Sequence, residues 1–210
     1  MLNVREMMTG DMMRLTAVMR FNNAHRSRDE SVMEHVGVVS MYAALLAVHV
    51  TIDHRVVVDW LELMLRATMH DIEESVTGDF PRSFKYRDAT TRASLEATAG
   101  ECADEIFTRL GFHDLVDMWD DAKDDDTEGR IVAMADFLST VAYIHRESAM
   151  GNTMIVRDTM DIIQNWDAIA SRDDMVELFG NALMEDVRDI IADVYDIQKI
   201  PGTITIREES

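Results

Sequence analysis

Residues Trp60-Leu-Glu-Leu-Met-Leu-Arg-Ala-Thr-Met-His-Asp71 decide the fold. A helix drawn through this stretch is apolar on most of its faces, so it belongs at the centre of a bundle, and it ends on a histidine and an aspartate. The pattern predicts a helix opened by Asp53, running to about Ser75 and stopped by Thr77-Gly78-Asp79-Phe80-Pro81. Upstream, Met, Leu and Val at helical spacing predict a first helix over residues 3–20, followed by a polar loop from His25 to Glu30. Ser31-Val-Met-Glu34 has capping-box spacing and opens a helix from Val32 to about Val50 with His35 in its first turn. Downstream, helices are expected from Thr90 to Leu110, ended by Gly111, from Leu115 to Trp119, and from Arg130 to Ala149, closed by Gly151-Asn152. Two more should reach about residue 198, after which Pro201-Gly202 ends helical structure and Thr203 to Ile206 forms a β-prone tail, either an edge strand or disordered.

Composition agrees with an all-α helical bundle. With 47% hydrophobic residues, 9 Gly and 2 Pro in 210 residues, the chain has few of the breakers that turn-rich sheet folds need. No linker or internal repeat divides it, so one domain is expected over residues 1–200, with 201–210 as a tail. The 17 Met fall mostly at apolar helical positions, where a flexible thioether fills gaps. A formal charge of −20 excludes a nucleic-acid polymer as partner, because such binders need a basic footprint. A mononucleotide remains compatible, since it needs only a metal and two or three local cations. The single Cys102 excludes an internal disulfide and a multi-cysteine metal site, and its flanks offer no base to activate it. The N-terminus lacks a signal-type apolar core, and the uncharged run Val36 to Val48 is too short to span a bilayer, so the expected setting is the cytoplasm and not a membrane.

Two His-Asp dipeptides occur, His70-Asp71 and His113-Asp114. The second follows Gly111-Phe112 in a polar stretch and reads as a helix cap. The first closes the most apolar helix, where an ionised carboxylate is costly unless it is paired or binds a metal. Asp136, inside Ile131-Val-Ala-Met-Ala-Asp-Phe-Leu138, poses the same problem: it either hydrogen-bonds across helices or ligates. With His35, these residues make two imidazoles and two carboxylates from three helices, a donor set suited to a divalent ion, with Co, Mn, Zn, Fe or Mg as candidates. Glu74 is i+4 from His70 and i+3 from Asp71, so helical spacing puts it on the ligand face, whereas Glu73 should face solvent or cap a helix.

The order Glu34-His35, Met69-His70-Asp71, Ala135-Asp136 resembles the HD superfamily of metal-dependent phosphohydrolases. His70-Asp-Ile-Glu-Glu-Ser-Val-Thr-Gly-Asp-Phe-Pro81 with Lys85-Tyr86, and Arg20-Phe21 fifteen residues before His35, is similar to the bacterial HD-domain 5′-deoxynucleotidases. The resemblance covers about residues 14 to 145. It implies His35, His70, Asp71 and Asp136 as ligands of one divalent ion, and Glu74 and Asp79 as groups that handle protons or hold water. It also implies Arg20 and Lys85 on phosphate and Phe21 and Pro81 beside the substrate. Phe21 stands where the family carries Trp. The implied substrate is a small 2′-deoxynucleotide, and the implied assembly a homodimer or larger homo-oligomer. The alternative on the same metal site is a deoxynucleoside triphosphohydrolase releasing tripolyphosphate, which extra cations such as Arg26 and Arg28 would favour.

Overall fold

Side-chain caps fix where most helices begin. In the computed structural model, which describes residues 1–195, the helices are α1 (Val4–Thr9), α2 (Val32–Asp53), α3 (Trp60–Met69), α4 (Glu74–Thr77), α5 (Arg82–Lys85), α6 (Ala89–Leu110), α7 (Leu115–Asp120), α8 (Thr127–Ala149), α9 (Thr153–Asp158), α10 (Asp161–Ala170) and α11 (Asp173–Val194). Ser31 and Glu34 form the expected reciprocal capping box on α2, and the side chains of Asp88, Asp126 and Asn152 cap α6, α8 and α9 by accepting from orphan N–H groups of the first turn. Gly111 ends α6 at φ 90°, the left-handed geometry that glycine adopts without cost.

Helices α2, α3 and α8 pack on one another and form the heart of the molecule. Val39, Ala43, Leu46 and Val50 of α2 meet Leu63 and Ala67 of α3 and Ile131, Met134, Ala135 and Ile144 of α8 in one buried cluster, which α9 to α11 complete. A smaller cluster joins Ile72 to Ala103, Ile106, Phe107 and Leu110 of α6. Helix α2 is long and apolar enough by length and composition to cross a membrane, but its Val39, Ala43, Leu46 and Val50 lie against α3 and α8 and it carries buried His35.

Four expectations are corrected. Residues 3–20 do not make one helix: α1 ends at Gly10, a 3-10 turn covers Asp11–Thr16, and the chain then forms an antiparallel bridge, Met19 to Ser31. Among the described residues this bridge is the one β contact, and it holds Arg20 beside the start of α2 through Arg20 N–H to Glu30 O and Val32 N–H to Val18 O, both 2.9 Å. The central helix is capped by Asp59, not Asp53, and it ends at Met69 instead of Ser75. The C-terminal third holds three helices, the last kinked at Gly180, where φ is 79° and an added Cβ would sit 2.9 Å from the His54 ring. The expected end of helix near 198 and the tail at 201–210, with its β-prone Thr203 to Ile206, lie outside the described residues.

The loop after Arg20 is tied down by Glu147, which is buried in α8 and accepts from the Ser27 N–H and hydroxyl, the Arg28 N–H and the Asn152 amide. Burial alone would raise its pKa, but these donors outweigh burial and hold the carboxylate below the usual range.

Candidate metal centre

The core triangle brings the four expected ligands together. His35 lies in the first turn of α2, Asp136 midway along α8, and His70-Asp71 in the turn that follows α3. His35 Nε2 is 3.0 Å from Asp136 Oδ1 and 3.5 Å from Asp71 Oδ2, and His70 Nε2 is 3.0 Å from Asp71 Oδ2. One candidate ligand atom each from His35, His70 and Asp71 falls within a 4.8 Å cluster. The His70 Nδ1–H donates to Ala67 O at 3.0 Å, which turns its Nε2 lone pair toward the cluster. His35 is fully buried, and its Nε2 faces the Asp136 carboxylate. Burial first, and the Arg20 charge second, lower the His35 pKa to about 4, so the ring is neutral. A buried neutral imidazole nitrogen aimed at two carboxylates, with a second imidazole beside it, fits a divalent transition ion.

The turn after α3 also explains a misread residue. From Met69 to Ser75 the backbone bonds run i to i+3, with Ile72 N–H to Met69 O, Glu74 N–H to Asp71 O and Ser75 N–H to Ile72 O. At three residues per turn, side chains three apart eclipse, so Glu74 stands over Asp71 and Glu73 over His70. Glu73 therefore does not face solvent, and its side chain makes no cap. It turns into the site, accepts a 2.9 Å bond from Trp119 Nε1, and has a carboxylate oxygen within 4.8 Å of those of Asp71 and Glu74. Burial and the neighbouring Asp71 push its pKa up to about 7. The same causes raise Glu74, against the pull of Lys85, whose Nζ is 2.9 Å from Glu74 Oε1. Burial disfavours the Lys85 charge, but Glu74, Asp71 and Asp79 outweigh burial and hold its pKa up at about 12.

Arg20 reaches the cluster from the bridge. Its Nη1 is 2.7 Å from His35 Nδ1 and 3.0 Å from Glu30 Oε2, and its Nη2 donates to Thr140 Oγ1 at 3.2 Å. Burial opposes its charge, but attraction to Asp136, Glu30, Asp71 and Asp79 prevails, so the guanidinium is held protonated. Phe21 has φ 54°, a left-handed conformation that a bulky side chain adopts only under constraint. Its N–H is aimed at the Asp79 carboxylate, and Asn22 Nδ2 donates to Asp79 O, which ties the 20s loop to the segment after α4. The Phe21 ring stacks on Tyr143 at 4.6 Å, with the Arg20 guanidinium 5.1 Å from its centroid. The ring is thus packed within the protein more than the sequence suggests. Asp79 is raised by burial first, with Arg20 and Lys85 opposing.

A cavity of about 640 Å³ opens from this centre. His70, Asp71, Glu73, Glu74 and Lys85 line one part, and Tyr86, Arg92, Leu95 and Trp119 line another. Phe80 lines it while Pro81 does not; Pro81 instead opens α5. Arg20, Phe21 and Asp79 are not among its lining residues. Six lining carboxylates, Asp71, Glu73, Glu74, Glu96, Asp120 and Asp124, face two lining cations, Lys85 and Arg92. Arg92 and Trp119 were not legible as site residues, because nothing in their local sequence departs from an amphipathic helix or turn, and Tyr86 entered only beside Lys85 in the matched stretch. The second His-Asp pair is elsewhere: His113 Nδ1 meets Asp104 Oδ1 at 2.7 Å.

An all-helical fold with a His, His-Asp, Asp cluster at the end of such a cavity defines a phosphohydrolase of the HD type, a hydrolytic enzyme. More narrowly, the model for the YfbR-like 5′-deoxynucleotidase family matches residues 5–187, and the chain belongs to that family. Among solved structures it is similar to an HD-domain phosphohydrolase from Listeria innocua, at 21% identity and TM-score 0.61 over 93% of this chain and 86% of that one. It is also similar to a conserved hypothetical protein from Pyrococcus furiosus, at 16% identity and TM-score 0.72 over 89% of this chain and 99% of that one. A protein from Pyrococcus horikoshii matches at 15% identity and TM-score 0.70 over 91% and 99%. These likenesses carry the fold. No curated protein matches the chain.

Proposed function

We propose that the chain hydrolyses 2′-deoxynucleoside 5′-monophosphates to deoxynucleoside and phosphate in the cytoplasm, with one divalent ion held by His35, His70, Asp71 and Asp136. The observation that carries this reading is the cavity, which runs from His70, Asp71, Glu74 and Lys85 and has room for a nucleoside but an excess of carboxylates. A monophosphate can be met by Lys85, by Arg20 and by the ion. A triphosphate would bring several more negative charges against that acidic wall. The cations that would favour it are engaged elsewhere: Arg26 holds Asp29 and Phe21 O, and Arg28 pairs with Glu34. The monophosphate is therefore preferred over the triphosphohydrolase alternative.

When bound, the ion supplies Lewis-acid polarisation of the phosphoryl group. The protein's own groups do the rest. Lys85 and Arg20 offset charge that develops on the equatorial oxygens. Glu74, whose pKa burial and Asp71 raise against the pull of Lys85 at 2.9 Å, is placed to pass a proton to the departing O5′. Asp79, fixed by the 20s loop, orients sugar or water.

The proposed partners are this small deoxynucleotide and a second copy of the chain. Met41, Leu45, Val48 and Ile52 are exposed along α2 at 4-3-4 spacing, the seam of a two-helix coiled coil, and Val57 and Leu61 are exposed nearby in sequence. Together these residues expose surface on the order of the 800 Å² per partner that a stable dimer buries. A second α2 suits such an uncharged seam, whereas the acidic remainder of a −20 chain repels its like.

The test of substrate is a panel of dAMP, AMP, dATP and ATP with Mn, Co, Zn or Mg, separating orthophosphate from tripolyphosphate. The reading expects orthophosphate from dAMP, with AMP poorer by roughly 10-fold or more, as one unpaired hydroxyl in a pocket would cause. Tripolyphosphate from dATP as the main product, or equal kcat/KM for dAMP and AMP, would overturn it.

A further inference from the structure

His35 Nδ1 has two partners for a single in-plane site. Arg20 Nη1 lies 2.7 Å away and Ser139 Oγ 3.0 Å away, and Ser139, three residues past Asp136 on α8, is completely buried. The two partners demand opposite chemistry. A guanidinium has only N–H groups to offer, so Arg20 can meet Nδ1 only where the nitrogen presents its lone pair, which puts the ring hydrogen on Nε2. A serine hydroxyl can accept as well as donate, so Ser139 can equally receive a hydrogen from Nδ1. A divalent ion at Nε2 takes the lone pair there and forces the hydrogen onto Nδ1. At 2.7 Å that N–H would oppose the N–H of Arg20, while Ser139 would accept it.

We infer that Ser139 is a positioning residue that holds His35 in its ion-binding tautomer, and that Arg20 competes for the same nitrogen, so that loading the metal site releases Arg20 from His35. The inference rests on the metal-centre reading above. The surroundings favour each state in turn. Without an ion, a hydrogen on Nε2 points among the carboxylates of Asp136 and Asp71 at 3.0 and 3.5 Å, which suits the tautomer that Arg20 requires. Once the ion occupies that space, Ser139 is the acceptor already in place. Arg20 does not leave the site on release, because Glu30 and Thr140 still hold its other N–H groups and Asp136, Asp71 and Asp79 still attract its charge. It can only pivot on those anchors. The cation proposed to meet phosphate is thus parked on a metal ligand until the metal arrives, which orders loading before substrate binding.

The experiment is nitrogen NMR of the full-length protein labelled at histidine, first stripped with chelator and then given one equivalent of diamagnetic Zn²⁺. His35 should change from hydrogen on Nε2 to hydrogen on Nδ1. His70 is the internal control, since its bond to Ala67 O keeps hydrogen on Nδ1 in both states. By competition titration, Ser139→Ala should bind Zn²⁺ about 10- to 100-fold more weakly with an unchanged helical spectrum, the usual size of a lost ligand-orienting partner. Ser139→Thr, which keeps the hydroxyl, should recover most of that loss. The inference is overturned if stripped wild-type His35 is already in the Nδ1–H form, or if Ser139→Ala binds Zn²⁺ like wild type. If Zn²⁺ does not bind and neither ring signal moves, the metal centre itself is wrong and the inference falls with it.

Discussion

Glu73→Gln in the metal-free protein should stabilise the fold at alkaline pH and leave it unchanged in mild acid. Glu73 stands beside Asp71 and Glu74 and has its pKa raised from 4.5 to about 7. A carboxyl raised in the native state binds its proton more tightly folded than unfolded, so its contribution to stability is greatest below pH 4.5 and declines as pH rises through 7. The full shift corresponds to about 3 kcal/mol, and partial contact with cavity water brings the expected effect to about 2 kcal/mol. Gln keeps the shape and an oxygen to accept from Trp119 Nε1 but carries no charge. The assay is urea denaturation of both proteins in chelator at pH 4 and pH 8. The variant should be more stable at pH 8 by about 2 kcal/mol and nearly equal at pH 4, and added metal, which offsets the same repulsion, should narrow the gap at pH 8. A gap that does not change between the two pH values, or a variant weaker at pH 8, would refute the placement of Glu73 among the carboxylates.

Glu74→Gln should retain metal binding but slow dAMP turnover by roughly 100-fold or more, since the amide cannot pass a proton, and Glu73→Gln should slow it far less; parallel kcat measurements decide between them. Glu147→Ala leaves the Ser27, Arg28 and Asn152 donors without their shared acceptor and should cost about 3 kcal/mol, read as a fall in Tm of about 6 to 12 °C. The double variant Leu45→Glu with Ile52→Glu should sediment as a 23.9 kDa monomer while wild type runs at twice that mass, and identical sedimentation of the two would remove α2 as the dimer seam.

The bundle was legible because its signals are local. Ser31 and Glu34 announce the start of α2, Gly111 announces the end of α6, and the apolar runs around Asp136 and before His70 mark the helices that must lie inside. His35, His70, Asp71 and Asp136, which the fold brings together, stood out for the same reason, as charges and imidazoles in stretches with no other use for them. What failed depended on winding and tertiary contact. Residues 3–20 have helical periodicity, but Gly10 and the bridge from Met19 to Ser31 divert the chain. Glu73 was placed by a 3.6-residue period where the chain turns at three. The stack of Phe21 on Tyr143, the hold of Arg20 on His35 and the arrival of Trp119 over Glu73 join residues 122, 15 and 46 positions apart, which no local pattern announces.

The most direct test is orthophosphate release from dAMP by wild type and Asp136→Ala, each stripped by chelator and then titrated with Mn²⁺ or Co²⁺. Wild type should be silent when stripped and regain activity with about one equivalent of ion, while Asp136→Ala should stay helical, bind the ion poorly and remain inactive. Full activity in stripped wild type, or undiminished ion-dependent activity in Asp136→Ala, would contradict a metal-dependent phosphohydrolase built on these four side chains.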